Sequence, residues 1–220
     1  LLHYIKYGNK EGRNSLQKNN SINFLKLYNP IIGNEMKFYS QSISSFISSP
    51  LISIITPVYN VDSIWLDKCI HSVLRQYYEK WELCIIDDGS TNNDTLHSLK
   101  GWQNIDPRIK ISYNKINQNI SKASNIAIKN ATGEFIAFLD NDDELKEDAL
   151  FWIVYEINKH PAADLIYTDE CKITSENTLV DFNFKPDWSP EFLLNEMYIG
   201  HLSVYRKSII EKVGLFRSEY

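Results

Sequence analysis

From residue 50 onward the apolar positions fall into short solid runs separated by longer segments of helical spacing. LISIITP (51–57) is nearly all apolar and β-branched, which predicts a strand buried on both faces. WELCIIDD (81–88), RIKISYN (108–114), EFIAFLD (134–140) and ADLIYTDE (163–170) read as further strands. Between the first two, Asp62 or Ser63 can cap a helix with Leu66, Ile70, Val73, Leu74 and Tyr77 facing inward. TLHSLKGW (95–102) predicts a short helix, and SKASNIAIKNATG (121–133) another, with Ser121 as cap and Gly133 past its end. From Asp148 a further helix turns Leu150, Ile153, Val154 and Ile157 inward and stops before Pro161. Strands alternating with helices in this way predict an α/β fold, a mostly parallel sheet with helices on both faces.

Residues 1–49 follow a different pattern. LLHYIKYGNKEGRNS has a short helical periodicity closed by Gly8 and Gly12, and a polar, Asn- and Ser-rich stretch with scattered aromatics follows. The division expected is a helical appendage and linker over 1–49 and the α/β domain over 50–220.

Composition narrows the function by exclusion. A net charge of −5 and the lack of a basic stripe give no reason to expect nucleic-acid binding. The three cysteines, Cys69, Cys84 and Cys171, form no CxxC pair, so neither a disulfide framework nor a zinc site is indicated. Cys69 and Cys84 sit in apolar patterns as small core residues. No apolar run is long enough to span a bilayer. The first residue is Leu1 rather than Met, which suggests a piece of a longer protein.

Candidate chemistry lies where the strands stop. FIAFLDNDDEL ends an apolar run in Asp140, Asn141, Asp142, Asp143 and Glu144, and two other runs end in Asp87-Asp88 and Asp169-Glu170. Ligands of parallel sheets bind at the carboxyl ends of the strands. Crowded carboxylates there are costly unless a cation or polar hydroxyls sit among them. An EF-hand loop starting at Asp140 would need Gly and Glu where Leu145 and Phe151 stand. The P-loop GxxxxGK[ST], the dinucleotide GxGxxG and the hydrolase elbow GxSxG are absent. An aspartyl phosphatase usually carries its DxD on the first strand, whereas this one lies on the fourth. Asp140-Asn141-Asp142 then reads as a carboxylate pair for Mg²⁺ or Mn²⁺, which complete their shells with water and phosphate oxygens.

Four segments in this order carry a resemblance over residues 51–220: SIITPVYN, SVLRQYYEKWELCIIDDGSTNNDT, NISKASNIAIKNATGEFIAFLDNDDEL and FKPDWSPEFLLNEMYIGHLSVYRKSIIEKVGLF. Together they resemble family-2 glycosyltransferases of the GT-A fold, most nearly bacterial enzymes that build rhamnose-rich or other surface polysaccharides. YIKYGNKEGRNS is similar to a short element found in multidomain members. The resemblance implies a Rossmann-like sheet and transfer of a sugar from a UDP- or dTDP-linked donor to a growing glycan. It implies inversion by single displacement, with Mn²⁺ or Mg²⁺ as cofactor. Pro57, Val58, Tyr59 and Asn60 would pack on the base and ribose, and Asp88 would accept hydrogen bonds from the nucleoside. Asp140 and Asp142 would hold the metal, with Asn141 between them, and Asn125 would lie near the donor. Trp188 could stack on the acceptor sugar, and His201 lies near the floor of the site. Relatives often carry Gly where this chain has Asn119, which puts the local turn in doubt.

The resemblance places the catalytic base in an acidic segment beyond Tyr220, with Asp169 or Glu170 as the fallback. The domain is therefore expected to be truncated at its C-terminus, and residues 1–220 alone to bind donor but transfer no sugar. A cytoplasmic location is expected, at the inner face of the membrane if other parts of a longer protein associate with it peripherally. The competing readings are a non-catalytic nucleotide- or glycan-binding module and a metal-dependent phosphatase or nucleotidyltransferase.

Overall fold

The computed structural model describes residues 2–4 and 35–219. Its main sheet has six strands in the order β4-β3-β2-β5-β10-β7. The four parallel strands are β2 (Ile52–Val58), β3 (Trp81–Asp87), β4 (Ile109–Tyr113) and β5 (Phe135–Phe138). β10 (Ser203–Arg206) runs antiparallel between β5 and β7 (Leu165–Tyr167). The chain moves outward from β2 to β3 and β4, then crosses back to place β5 on the other side of β2. That reversal opens a crevice at the carboxyl end of β2, where open α/β sheets bind ligands.

β2 and β3 carry apolar side chains on both faces, so each is covered by helices. Ile52, Ile54, Val58, Trp81, Leu83 and Ile85 pack on one side with α2 (Ser63–Leu74), α3 (Asn93–Trp102) and α5 (Ala149–Lys159). Ile55, Cys84, Ile86 and Ile136 pack on the other with α4 (Ile120–Asn130) and α7 (Lys207–Val213). Cys69, Cys84 and Cys171 are buried free thiols, and burial pushes Cys84 up to about 12. Asp62 caps α2 by accepting from the Ile64 amide, and Asn92 caps α3 through the Asp94 amide. Tyr77 lies beyond the end of α2 rather than on its inward face.

Three local expectations change. Ser121 does not cap α4, which begins one residue earlier, after Asn119. Asn119 has φ 71° and ψ 157°, backbone that is essentially glycine's alone, so the asparagine there is held in a strained conformation. The run 163–170 is not a single strand. It breaks at Thr168 into β7 and β8 (Asp169–Ile173), and β8 belongs to a second sheet of order β6-β1-β8-β9. Asp169 and Glu170 thus begin a strand rather than tip one.

The second sheet draws on distant parts of the chain. β6 (Glu144–Leu145) pairs in parallel with β1 (Leu2–Tyr4), β1 pairs antiparallel with β8, and β8 forms a hairpin with β9 (Leu179–Asn183). Residues 2–4, expected inside a helical pattern, are a strand, and the rest of LLHYIKYGNKEGRNS lies outside the described residues. The linker region contributes α1 (Glu35–Ser44), whose Tyr39 is buried against Tyr77 and Phe151 and donates its hydroxyl to Asp148 at 3.0 Å. α6 (Pro190–Leu193) is a single turn following the second sheet. No helix among the described residues is long and apolar enough to cross a membrane.

Candidate active site

A cleft of about 440 Å³ opens at the crevice, lined by Pro57, Val58, Tyr59, Asp88, Asn117, Asn119, Ile120, Ala123 and Asn141. Its walls come from the ends of β2, β3 and β5 and from the first turns of α4. Tyr59 is half exposed and gives the cleft an aromatic edge. Asn60 stands at φ 51° and turns its amide away. Its Oδ1 accepts from the Thr91 and Asn92 amides at 2.8 and 2.9 Å, which ties the loop after β2 to the loop after β3.

Asp87 and Asp88 diverge in role. Asp87 is buried and receives the Ser90 amide, so it shapes the turn. Asp88 is buried yet lines the cleft; it accepts from Asn114 Nδ2 at 2.7 Å and from the Gln118 amide at 2.9 Å. Those donors fix the carboxylate in place while its remaining lone pairs stay available to a ligand. Gly89 follows at φ 77°, and a Cβ there would meet the Ile116 carbonyl carbon at 2.8 Å. Only glycine lets the chain leave β3 so abruptly. Asn114, Asn117 and Gln118 lie between β4 and α4, and Ile120 opens α4; no regular period in the sequence marks them as cleft residues.

The acids after β5 are held by α2. Cys69 Sγ approaches the Asp140 carbonyl at 3.4 Å, and Ser72 Oγ accepts the Leu145 amide at 2.9 Å. Gln76 reaches Lys146 O and the Leu150 amide. Burial, with a smaller contribution from four nearby acids, raises the Cys69 thiol far above its usual range. Asn141 Nδ2 donates to Pro57 O at 2.7 Å and brings this loop to the cleft wall.

His201 Nδ1 lies 3.3 Å from a carboxylate oxygen of both Asp140 and Asp143. One donor atom from each of the three residues lies within 4.8 Å of the other two. Burial raises the Asp140 carboxyl above its ordinary range, His201 opposes that rise, and Asp143 and Asp142 add to it. The Asp143 contact raises His201 against the effect of burial, with Asp140 contributing in the same direction. Two carboxylates and an imidazole are donors that a hard or borderline divalent cation accepts, so the set fits Mg²⁺ or Mn²⁺. Asp142, expected as the second metal carboxylate, is exposed and stands outside this three-residue group. The sequence offers a DxD and a distant histidine, and only the antiparallel entry of β10 joins them.

Other expected residues are elsewhere. Both amide atoms of Asn125 bind the Phe216 backbone, donating to its carbonyl at 2.8 Å and accepting from its amide at 2.9 Å. Trp188 is more than half exposed on the loop after β9 and does not line the cleft. Asp169 Oδ1 accepts the Lys185 amide at 2.8 Å, and Glu170 is ion-paired with Lys185 at 3.0 Å.

A family model described as Glycosyl transferase family 2 matches residues 53–214. The y4gI protein of Sinorhizobium fredii is 42% identical over 181 residues, covering 82% of this chain and 20% of its own length. A chondroitin synthase of Escherichia coli is 35% identical over 157 residues, covering 71% of this chain and 22% of its own. The chain therefore spans about a fifth of the length of these curated relatives. The crystal structure of Staphylococcus aureus TarS 1–349 with UDP-GlcNAc superposes with a TM-score of 0.62 and 23% identity, covering 76% of this chain and 48% of that one. Mannosyltransferase PcManGT of Pyrobaculum calidifontis, with GDP-Man and Mn²⁺, gives 0.59 and 16%, covering 90% and 59%.

Proposed function

The chain belongs to glycosyl transferase family 2, and from that premise we propose that it takes a sugar from a UDP- or dTDP-linked donor and passes it to a growing surface glycan. One observation carries this reading: the cleft shares Pro57 and Ile120 with an adjoining hollow that is lined by Asp140 and His201 of the Asp140–Asp143–His201 group. Tyr59 would stack on the base. Asp88 would accept a hydrogen bond from the base or ribose, aligned by Asn114 and Gln118. UDP-GlcNAc bound to TarS and GDP-Man with Mn²⁺ bound to PcManGT support a sugar nucleotide in such a cleft.

Asp140, Asp143 and His201 would hold the divalent cation, with Asp142 exposed beside them to meet its water shell. When bound, the cation neutralises charge on the departing diphosphate. The residues of the cleft would hold the donor so that its anomeric carbon faces the acceptor side, and inversion would follow from attack on the opposite face. Asp169 and Glu170 are committed to Lys185 and to the β9 strand through Asn183, which argues against either as base. The proton acceptor is better sought in the acidic segment that other family members carry further along.

Calorimetric titration with UDP, dTDP and GDP, each with Mn²⁺ and with EDTA, tests the reading. UDP or dTDP should bind more tightly with Mn²⁺ than with EDTA. Equal affinity in the two buffers would remove the metal from the proposal, and no binding of any nucleotide would remove the donor.

A further inference from the structure

Lys185 is 2% exposed, rare for a lysine, because burying an ammonium is costly unless all its donors are matched. Burial pulls its pKa below the ordinary lysine range, against the pull of Glu170. The ammonium has three N–H donors. It lies 2.6 Å from Ile199 O, 2.5 Å from His201 O and 3.0 Å from a Glu170 carboxylate oxygen. The two carbonyls flank Gly200, which turns the chain at φ 46°, and a Cβ on Gly200 would sit 3.5 Å from the Lys185 nitrogen. The stem is fixed too, since the Lys185 amide donates to Asp169 Oδ1 at 2.8 Å. One lysine thus grips both sides of the turn whose next side chain is the His201 imidazole.

Two different sheets meet at that grip. Lys185 follows β9 in the second sheet, whereas His201 enters β10 of the main sheet, and Asp140 and Asp143 follow β5. The tether therefore decides how the His201 ring approaches carboxylates from another layer. We propose that Lys185 is a positioning residue that locks the Ile199–His201 turn and so presents His201 to Asp140 and Asp143 as the third donor for a divalent cation. The inference rests on the metal reading above for its ligand, but the placement of the His201 ring is testable without metal.

The test compares wild type, Lys185→Met, His201→Ala and the double variant, with folding checked by circular dichroism. Mn²⁺ binding is read by electron paramagnetic resonance, and the His201 ring by histidine-selective NMR in EDTA. Lys185→Met should weaken Mn²⁺ binding by roughly ten- to a hundred-fold, the usual cost of losing a group that orients a ligand. The double variant should bind Mn²⁺ no more weakly than His201→Ala, because both changes remove one contribution. The His201 ring signals should shift or broaden in Lys185→Met without metal. Unchanged Mn²⁺ affinity, or losses that add in the double variant, would overturn the proposal. If the wild type binds no Mn²⁺, the metal reading fails and NMR decides alone: unchanged His201 signals overturn the positioning role and shifted signals retain it. Should Lys185→Met not fold, Lys185→Arg replaces it in each arm, because a planar guanidinium does not reproduce the convergence of one ammonium on these three acceptors.

Discussion

The two ends of the parallel sheet both carry buried carboxylates, but they treat them oppositely. At the amino end Glu82 on β3 accepts from Ser53 Oγ at 2.6 Å, from the Thr132 amide at 2.5 Å and from Thr132 Oγ1 at 2.9 Å, and pairs with Lys110. Every donor comes from a neighbouring strand or the turn before β5, so the network stitches β2, β3, β4 and β5 together. Burial works against its charge, but the donors overcome it and hold the carboxyl at about 2. At the carboxyl end, Asp140 is raised by burial and by other acids, against the opposing pull of His201. One end satisfies its carboxylate internally and is scaffold. The other concentrates acid around a cleft, where the proposed donor and cation would complete it. A buried acid alone does not mark a site; how its lone pairs are used does.

The largest effect expected from breaking this contrast is at the scaffold end. Glu82→Ala strands the buried Ser53 hydroxyl and unpairs Thr132 and Lys110, and should cost about 3 kcal/mol of unfolding free energy. Urea unfolding measures it, while UDP affinity of the folded fraction should stay near wild type. The acid limb adds a sign. Glu82 has a depressed pKa in the folded protein, so its stabilisation is fully present above its unfolded value near 4.5 and fades as pH falls toward about 2. Wild type should lose stability across that window, and Glu82→Ala should show a correspondingly shallower loss.

At the other end, Asp140→Asn should do the reverse. It relieves crowding among acids, so thermal stability should hold or rise, while Mn²⁺ affinity should fall by more than roughly a hundred-fold, beyond what an orienting group alone costs. A stability loss comparable to that of Glu82→Ala, with Mn²⁺ binding intact, would erase the distinction between the two ends. Asp142→Asn sharpens the case. An effect on Mn²⁺ as large as that of Asp140→Asn would bring Asp142 into the metal shell alongside Asp140 and Asp143.

Asp88→Ala tests the cleft away from the metal. Losing a charge-assisted acceptor should weaken UDP binding by roughly ten-fold, with and without Mn²⁺. Unchanged affinity in the folded variant would place the nucleoside elsewhere.

The parallel core was legible because burial on both faces writes itself as solid apolar runs in LISIITP and WELCIID, and Asp62 and Ser63 bracket the start of α2. The acids at 87–88 and 140–143 were legible for the same reason, since charge following such a run stands out. The edge was not. β10 is the four residues SVYR, too short to carry a period, and its antiparallel entry is what brings His201 to Asp140. A break at Thr168 moves Asp169 into another sheet, and β-pairing partners such as residues 2–4 are fixed by tertiary contacts that local pattern does not encode. Lys185 stands in no pattern that marks it, because burial of a charge leaves no trace in the sequence around it.

Asn125 gives the smallest expected effect and the finest probe of the comparison, because it sits between the two regimes. Sequence resemblance put it near the donor, yet its amide closes a two-way hydrogen bond with the Phe216 backbone, the self-satisfied arrangement of the scaffold end. Phe216 in turn packs edge-on against Phe138 at 5.0 Å and lines the 250 Å³ hollow shared by Asp140 and His201. If the clamp is structural, Asn125→Ala should cost about 1 kcal/mol in stability, the net worth of ordinary hydrogen bonds at a partly exposed site. It should raise amide hydrogen exchange at Phe216 and leave UDP affinity in EDTA unchanged. An equal loss of nucleotide affinity without any change in exchange at Phe216 would instead make the amide a donor-binding group. The wall of the cleft would then be organised by its ligand rather than by its own chain.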